Sequence, residues 1–166
     1  MSYWKEREKY RYYETVRNWL TDLGPLGSLA DIGCADTPTA IWGDFDQRWT
    51  VDVRQRPALS GVTQIVGYWP DCATRLPAVD VVTCLQVLEH VADPEPFCAA
   101  LFAAARVAEI LSVPYRWSSG QCVSHVHDPV DEEKLLGWTH REPTRQAIVG
   151  DGGLERLVVF YETSRV

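Results

Sequence analysis

Two apolar segments near the end of the chain are separated by only four residues, Gly150-Asp151-Gly152-Gly153. Both segments, 144–149 and 154–163, carry the β-branched and aromatic residues that are typical of strands. A connection of that length cannot cross over a sheet, so the two strands must be antiparallel neighbours. The sequence therefore predicts a C-terminal β-hairpin, which restricts the sheets that the rest of the chain can form.

The preceding part of the chain alternates short apolar segments with helices or long loops. We predict strands in five segments: 28–33, 48–53, 63–68, 78–85 and 108–115. Long connections of this kind favour parallel pairing, and the nearly continuous apolar character of segment 78–85 is typical of a strand covered on both faces. We therefore predict an α/β fold. Its expected core is a Rossmann-like, open, mostly parallel seven-stranded sheet, with helices on both faces and a C-terminal antiparallel hairpin.

Helix signals divide the chain further. Apolar residues recur at helical spacing in the first 24 residues, and Gly24-Pro25 ends that pattern, so we predict one N-terminal helix over 1–24. A second helix is predicted to begin at Pro94 with Asp93 as its cap. A third is predicted after Asp128-Pro129, with Asp128 as its cap. We predict a single domain over residues 1–166, in which the N-terminal helix (1–24) precedes a core (28–115) and a final segment (116–166) that holds a loop, a helix and the hairpin.

Composition excludes several classes of protein. A formal net charge of −7 argues against non-specific nucleic-acid binding. No apolar run approaches the roughly 18 residues of a membrane span, and the charged, aromatic first residues are not typical of a signal peptide. The five cysteines are odd in number and widely spaced, which fits neither a disulfide framework nor a zinc knuckle. We expect a cytoplasmic protein that binds neither nucleic acid nor membrane.

The segment "LADIGCADTP" (29–38) has the pattern of a strand that runs into a tight turn, with Asp31 and Gly33 at its end. A dinucleotide-binding fingerprint would place two more glycines where Ala35 and Thr37 stand. Asp52 follows at the end of the next strand, where an acid can accept both ribose hydroxyls and disfavours a 2′-phosphate. These residues favour a nucleoside-containing ligand that makes fewer demands on the turn than a pyrophosphate does.

These motifs resemble those of class I S-adenosylmethionine-dependent methyltransferases. Asp31-Ile32-Gly33-Cys34 is similar to the first motif of that family, D-x-G-C-G-x-G. The segment "DVVTCLQVLEHVADPEPF" (80–97) resembles the strand-four motif of the ubiquinone-biosynthesis-like branch. The resemblance covers residues 28–115. It implies methyl transfer from S-adenosyl-L-methionine, with S-adenosyl-L-homocysteine as product, to a small soluble acceptor, and we expect O-methylation of a sugar or natural-product intermediate.

The resemblance also assigns the cofactor-binding residues. Asp52 is expected at the ribose, Leu85 and Gln86 at the methionine portion, and Tyr68 or Trp69 at the adenine, with ordinary packing as the alternative for the two rings. A methyl group at Ala35 is acceptable if φ stays negative. The complete expected set is Asp31, Gly33, Cys34, Ala35, Asp52, Val53, Tyr68, Trp69, Leu85 and Gln86.

The acceptor is expected to bind beyond the fifth strand, because ligands bind at the carboxyl edge of open α/β sheets. We assign Glu89, Tyr115, Arg116 and Trp117 to the acceptor pocket. Histidine suits a base that acts near neutral pH, so His125, His127 and His90 are the candidate catalytic residues. A solvated loop is the alternative for this segment. The pattern His-x-His-Asp offers two imidazoles and one acid without further ligands, so we assign no metal.

Two other functions remain open at this stage. The first is a catalytically silent methyltransferase-fold protein that binds a partner or retains cofactor without transfer, which the compact chain and the shortened first helix leave open. A nucleotide- or NAD-binding Rossmann enzyme is the second alternative, and the terminal hairpin and the missing glycines count against it. The expected partner is a small-molecule acceptor, and a homodimer is left open.

Overall fold

The computed structural model describes residues 2–163 and contains seven strands and four α-helices. The strands are β1 (Leu26–Ile32), β2 (Phe45–Asp52), β3 (Thr63–Val66), β4 (Val79–Leu85), β5 (Ala105–Tyr115), β6 (Arg145–Asp151) and β7 (Leu154–Glu162). The helices are α1 (Tyr3–Arg7), α2 (Arg11–Asp22), α3 (Pro94–Ala104) and α4 (Glu132–Thr139). Short 3-10 turns lie at Thr39–Ile41, Ala73–Arg75 and Leu88–His90.

The seven strands form one sheet in the order β3-β2-β1-β4-β5-β7-β6. The five strands from β1 to β5 pair in parallel. Strand β7 lies between β5 and β6 and is antiparallel to both, with Ile110 opposite Phe160 in the β5–β7 pair. The predicted fold class, including the C-terminal antiparallel hairpin, is confirmed.

Each face of the sheet is covered by different helices, because successive side chains of a strand point to opposite faces. Leu29 of β1 packs in a cluster with Val16 and Leu20 of α2. The neighbouring Ala30 packs in a second cluster, which contains Phe97 of α3 together with residues of α4. The expected placement of helices on both faces is therefore also correct.

The N-terminal segment forms two helices rather than the single helix predicted over 1–24. Ser2 caps α1, and its hydroxyl also donates to the Asp36 carboxylate at 2.6 Å. The Trp4 amide donates to the same carboxylate at 2.8 Å. Because α1 is anchored to the loop that follows β1, the helical conformation is interrupted before Arg11. Helix α2 then begins at Arg11 and packs against the sheet.

Helix α3 begins at Pro94 as predicted, whereas the predicted cap of α4 is wrong. Asp93 occupies the N-cap position of α3, but its side chain makes no capping hydrogen bond. Helix α4 begins at Glu132, and its cap is Asp131, which accepts from the Lys134 amide at 3.0 Å. Asp128 lies four residues before Glu132, too far to cap α4, and its Oδ2 is paired with Nδ1 of His125 at 2.8 Å.

All five cysteines are free, and four of them are buried. Among residues 2–163, no helix has the length and apolar character that crossing a bilayer requires.

Candidate cofactor cavity and histidine cluster

A cavity of about 650 Å³ opens at the carboxyl ends of β1, β2 and β4. All ten residues that the sequence assigned to cofactor binding line this cavity: Asp31, Gly33, Cys34, Ala35, Asp52, Val53, Tyr68, Trp69, Leu85 and Gln86. Of the residues assigned to the acceptor or to catalysis, only His90 lines it. The structure thus brings the first set together completely and the second set only in part.

The turn after β1 is tight and shapes the floor of the cavity. Gly33 has φ +74° and donates its amide to the Val51 carbonyl at 2.7 Å. A Cβ at this position would collide with the side chain of Val87, so only glycine fits. Ala35 also adopts a positive φ, +48°, which corrects the expectation of a negative value. Its amide is turned toward Asp52 and donates to Oδ2 at 2.9 Å, which explains why the left-handed conformation is kept.

Asp52 is buried and already holds three donors of its own chain. Oδ1 accepts from the Arg54 amide at 3.0 Å and forms an ion pair with Nη2 of Arg56 at 2.9 Å, whereas Oδ2 accepts only from Ala35. A carboxylate oxygen offers two acceptor positions. The carboxylate therefore has room for one further donor, so the expectation that it accepts both ribose hydroxyls requires Arg56 to move.

Asp31 is buried at the end of β1 beside two hydroxyl groups. Oδ1 accepts from Thr83 at 2.7 Å, and Thr37 lies 3.5 Å from Oδ2. Burial raises the pKa of Asp31 to about 7, and the two hydroxyls oppose that rise. A carboxyl group in this state is stabilised in its charged form by a positively charged ligand group.

The two aromatic residues after β3 differ in their surroundings. Tyr68 is 46% exposed and meets Phe97 edge-on, with ring centroids 6.3 Å apart. Trp69 is 2% exposed and belongs to the core cluster beneath. Tyr68 therefore presents the more open ring, whereas Trp69 mainly packs.

The opposite wall of the cavity follows β4. Gln86 has φ +56°, and its amide donates to the Ser112 carbonyl at 2.8 Å. Its side-chain amide donates to the Ser112 hydroxyl at 3.2 Å, so the residue is tied to β5 through both groups. Leu88, two residues further on, is fully buried.

Beyond Leu88, a cluster of one acid and two imidazoles adjoins the cavity. Glu89 is 1% exposed, and its Oε1 lies 3.9 Å from Nε2 of His90 and 4.0 Å from Nε2 of His125. Burial, together with the charge of nearby Asp128, raises the pKa of Glu89 to about 8. Burial also lowers the pKa of His90. We name Glu89, His90 and His125 the histidine cluster.

The loop that carries His125 is fastened to the turn that carries Glu89. Nδ1 of His90 donates to the Ser124 carbonyl at 2.9 Å, and the Val126 amide donates to the Glu89 carbonyl at 2.9 Å. Nε2 of His127 donates to the Val91 carbonyl at 2.7 Å, and its ring meets Trp138 edge-on. The structure therefore places His127 outside the cavity lining, in contact with Val91 and Trp138.

The other residues assigned to the acceptor also lie outside the cavity. The Tyr115 hydroxyl donates to Glu132 at 2.9 Å, and Arg116 is an exposed residue 3.6 Å from the same carboxylate. Trp117 donates its indole N–H to the Glu155 carbonyl at 2.7 Å and stacks on the His125 ring, with centroids 5.5 Å apart. These three residues position the loop, and the Trp117 ring packs against His125 of the histidine cluster.

Sequence reasoning missed three polar residues of the cavity wall, Tyr3, Thr37 and Arg56. Arg56 lies four residues beyond Asp52 and pairs with it, a spacing that could have drawn attention to it. Tyr3 reaches the cavity only because α1 is anchored to Asp36, and no local pattern indicates that contact.

The similarity of this chain to known proteins lies in its structure rather than in its sequence. No protein-family model matches the sequence, and no curated protein sequence matches it. Solved structures do match. Magnesium protoporphyrin IX methyltransferase from Synechocystis PCC 6803 with bound S-adenosylhomocysteine is 18% identical, with a TM-score of 0.68 over 93% of this chain and 82% of that one. The N-methyltransferase NodS from Bradyrhizobium japonicum WM9, in complex with the same molecule, is 12% identical, with a TM-score of 0.71 over 93% of this chain and 87% of that one.

A third match is the cyclase SpnF, which is 13% identical, with a TM-score of 0.70 over 92% of this chain and 80% of that one. The fold is thus the Rossmann-like fold of S-adenosylmethionine-dependent methyltransferases. Because this fold also carries a cyclase, the activity of this chain has to be argued from its own site.

Proposed function

We propose that this protein transfers a methyl group from S-adenosyl-L-methionine to a hydroxyl group of a small soluble acceptor. The observation that carries the proposal is the convergence of ten separately assigned residues on one cavity at the strand ends. Two structures of the same fold hold the reaction product, S-adenosylhomocysteine, which supports this reading of the cavity.

The residues present fit this cofactor. The cavity volume of about 650 Å³ lies within the range of small-molecule sites. The turn at Gly33 has no space for a side chain, Asp31 suits the ammonium group, Asp52 suits a ribose hydroxyl, and the open ring of Tyr68 suits adenine. S-adenosylmethionine, when bound, supplies a methyl group on a sulfonium sulfur. Transfer to a hydroxyl oxygen releases one proton and leaves S-adenosylhomocysteine.

The acceptor side is the end of the cavity next to His90. Val91 and Ala92 line the same end, so the acceptor meets apolar surface beside one polar cluster. That combination favours a natural-product intermediate with a hydroxyl group, or a sugar attached to one, over a free sugar. The chain aligns the hydroxyl, and the histidine cluster is the nearest group that can assist loss of its proton. We further propose that the protein is cytoplasmic and that neither nucleic acid nor membrane is its partner.

An NAD-type ligand is disfavoured by the backbone after Gly33. A pyrophosphate normally rests on the N-terminus of a helix that follows the glycine-rich turn. Here that connection holds only the 3-10 turn Thr39–Ile41 before β2 begins. The N-terminus of an α-helix is therefore lacking between Gly33 and β2.

Calorimetry with S-adenosylhomocysteine and, separately, with NAD tests the cofactor. We expect binding of the first and not of the second. Transfer of labelled methyl to a panel of hydroxylated acceptors then tests the reaction. Binding of S-adenosylhomocysteine without transfer to any acceptor would favour the silent-relative alternative, and preferential binding of NAD would overturn the proposal.

A further inference from the structure

The polar atoms of the histidine cluster face one point without bonding to one another. The separations of 3.9 and 4.0 Å between Glu89 Oε1 and the two Nε2 atoms are too long for hydrogen bonds. One ligating atom from each of Glu89, His90 and His125 lies within 4.8 Å of the others. The side chains of Glu89 and His125 are 1% and 5% exposed, so water does not satisfy them freely.

The outer hydrogen bonds fix the tautomer of both imidazoles. Nδ1 of His125 lies 2.8 Å from Oδ2 of Asp128, and Nδ1 of His90 lies 2.9 Å from the Ser124 carbonyl. Both partners only accept when Asp128 is ionised, so each Nδ1 carries a hydrogen. In the neutral rings, each Nε2 then presents a lone pair toward Glu89.

Glu89 is the second observation that points to a ligand. Its Oε2 is buried and has no hydrogen-bond partner among the described residues. The Glu89 carboxyl group and two imidazole lone pairs thus converge without a hydrogen bond between them. A bound cation would supply the partner that these three groups lack.

We propose that Glu89, His90 and His125 bind one divalent first-row transition-metal ion. Metal bonds of ~2.0–2.2 Å require the three atoms to draw together by less than about 1 Å each, which side-chain rotation supplies. Two imidazoles and one carboxylate favour zinc, manganese, iron or cobalt over magnesium, which prefers oxygen ligands. The contacts of Asp128 and Ser124 to the two Nδ1 atoms are those that orient metal-bound histidines in other proteins.

The ion would reach the cavity on its His90 side, because His90 is the member of the cluster that lines the cavity. Three protein ligands leave at least one coordination position for another group. That position is suited to the acceptor oxygen, where the ion would orient the hydroxyl and lower its pKa. This role toward the acceptor rests on the proposed function, whereas the metal site itself rests only on the geometry of the cluster.

Equilibrium dialysis of the untagged, chelator-treated protein with zinc, and visible absorption after addition of cobalt(II), test the site. We expect one ion per chain and the absorption bands of a cobalt ion with nitrogen ligands. Magnesium at the same concentration should not compete. Glu89→Gln and His125→Gln should each weaken zinc binding at least ~100-fold, and Asp128→Asn by about 10–100-fold because it orients His125.

His140→Asn is the matched control, because His140 is an exposed histidine that pairs with Glu95 away from the cluster. It should retain parental zinc affinity. If a buried variant fails to fold, His90→Gln, at the more exposed member, provides the same test. Failure to bind one ion per chain, or equal binding in the cluster variants and the parent, would overturn the metal site.

Calorimetry with S-adenosylhomocysteine on the same samples separates this proposal from the proposed function. Cofactor binding without metal binding would refute the metal site alone. Metal binding without cofactor binding would refute the methyl-transfer proposal alone.

Discussion

The two sides of the cavity satisfy their polar groups in different ways. On the strand-end side, the carboxylates of Asp31 and Asp52 accept hydrogen bonds from hydroxyls and amides of the same chain, and Asp52 also pairs with the Arg56 guanidinium. On the loop side, Glu89 faces two imidazole nitrogens across 3.9 and 4.0 Å and has no hydrogen bond to either. The carboxylates of the first side are largely satisfied by the folded chain, whereas the carboxyl group of the second is not.

We therefore expect the strand-end side to determine cofactor affinity and the histidine cluster to determine the rate of methyl transfer. A site whose hydrogen bonds come from strand ends is preorganised, so its ligand contacts cost little rearrangement. The histidine cluster combines residues of a turn with a residue of a distant loop, and it contains polar groups that lack hydrogen-bond partners. Such groups favour the binding of a cation or of a reacting group. Variants on the strand-end side should therefore change cofactor affinity, and variants in the histidine cluster should change turnover.

The largest effect is expected at His90. His90→Gln removes the imidazole that lines the cavity, and we expect turnover to fall about 10²–10⁴-fold, as is typical when a group that assists proton transfer is lost. The affinity for S-adenosylhomocysteine should change by less than about 2-fold, because His90 lies outside the assigned adenosine contacts. Single-turnover methyl transfer and calorimetry measure the two quantities. His140→Asn serves as the control, and an equal loss of cofactor affinity would erase the distinction between the two sides.

Asp52 tests the strand-end side. Asp52→Ala removes the acceptor at Oδ2, and loss of one hydrogen bond to a charged group costs about 1.5–3 kcal/mol, or roughly 10–150-fold in affinity. Calorimetry with S-adenosylhomocysteine measures this change. Asp71→Ala, at an exposed acid outside the cavity wall, is the matched control. Parental affinity in Asp52→Ala would refute the assignment of Asp52 to the ribose.

The third prediction concerns the pH dependence of stability. Glu109 is fully buried, neither carboxyl oxygen has a hydrogen-bond partner among the described residues, and burial raises its pKa to about 9. The folded protein therefore binds a proton that the unfolded chain releases above pH 4.5. Stability should fall as pH rises from about 5 to 9, by up to ~1.4 kcal/mol per pH unit for this group.

Denaturant unfolding at several pH values measures that slope. Glu109→Gln should flatten it, because the amide cannot ionise, whereas the exposed Glu133→Gln should not. Asp31, with a pKa raised to about 7, contributes in the same direction over a narrower window. An unchanged slope in Glu109→Gln would show that this carboxyl group is not held neutral.

The smallest effect is expected at Ala35. Its φ of +48° is unfavourable for a residue with a side chain. Ala35→Gly should therefore stabilise the fold by ~0.5–1 kcal/mol, after the greater flexibility of glycine in the unfolded chain is counted. Thermal unfolding measures the gain. Ala100→Gly, inside α3, should instead destabilise by about 0.5–1 kcal/mol. A loss of stability in Ala35→Gly would contradict the backbone strain described here.

The strand-end side could be predicted from sequence because each of its residues belongs to a local pattern. Asp31 and Asp52 end apolar strands, and Gly33 occupies a turn. Parallel strands deliver such residues to one edge of the sheet. The conformation of Ala35 was predicted wrongly because its amide is drawn to Asp52, a contact that becomes visible only when β1 and β2 pair.

The loop side could not be predicted in the same way. His125 and His127 are two residues apart and look equivalent in the sequence, yet one turns toward Glu89 and the other binds the Val91 carbonyl. The hydrogen bonds that join this loop to Glu89 and His90 determine which imidazole enters the cluster. No periodicity or spacing encodes that packing.

Element boundaries show the same limit. Strand β5 was predicted to begin at residue 108 but begins at Ala105, immediately after the last residue of α3. The alanine-rich segment before it suits a helix by intrinsic propensity. Pairing with β4, in which Val79 lies opposite Ala105, decides where the helix ends.

The position of β7 has a consequence for biosynthesis. This strand is the last of the seven to leave the ribosome, yet it lies inside the sheet between β5 and β6. Until residue 162 has been translated, β5 has an unpaired apolar edge that is open to other nascent chains. A stop codon ahead of residue 154 would therefore leave the cavity residues encoded but the protein prone to aggregate.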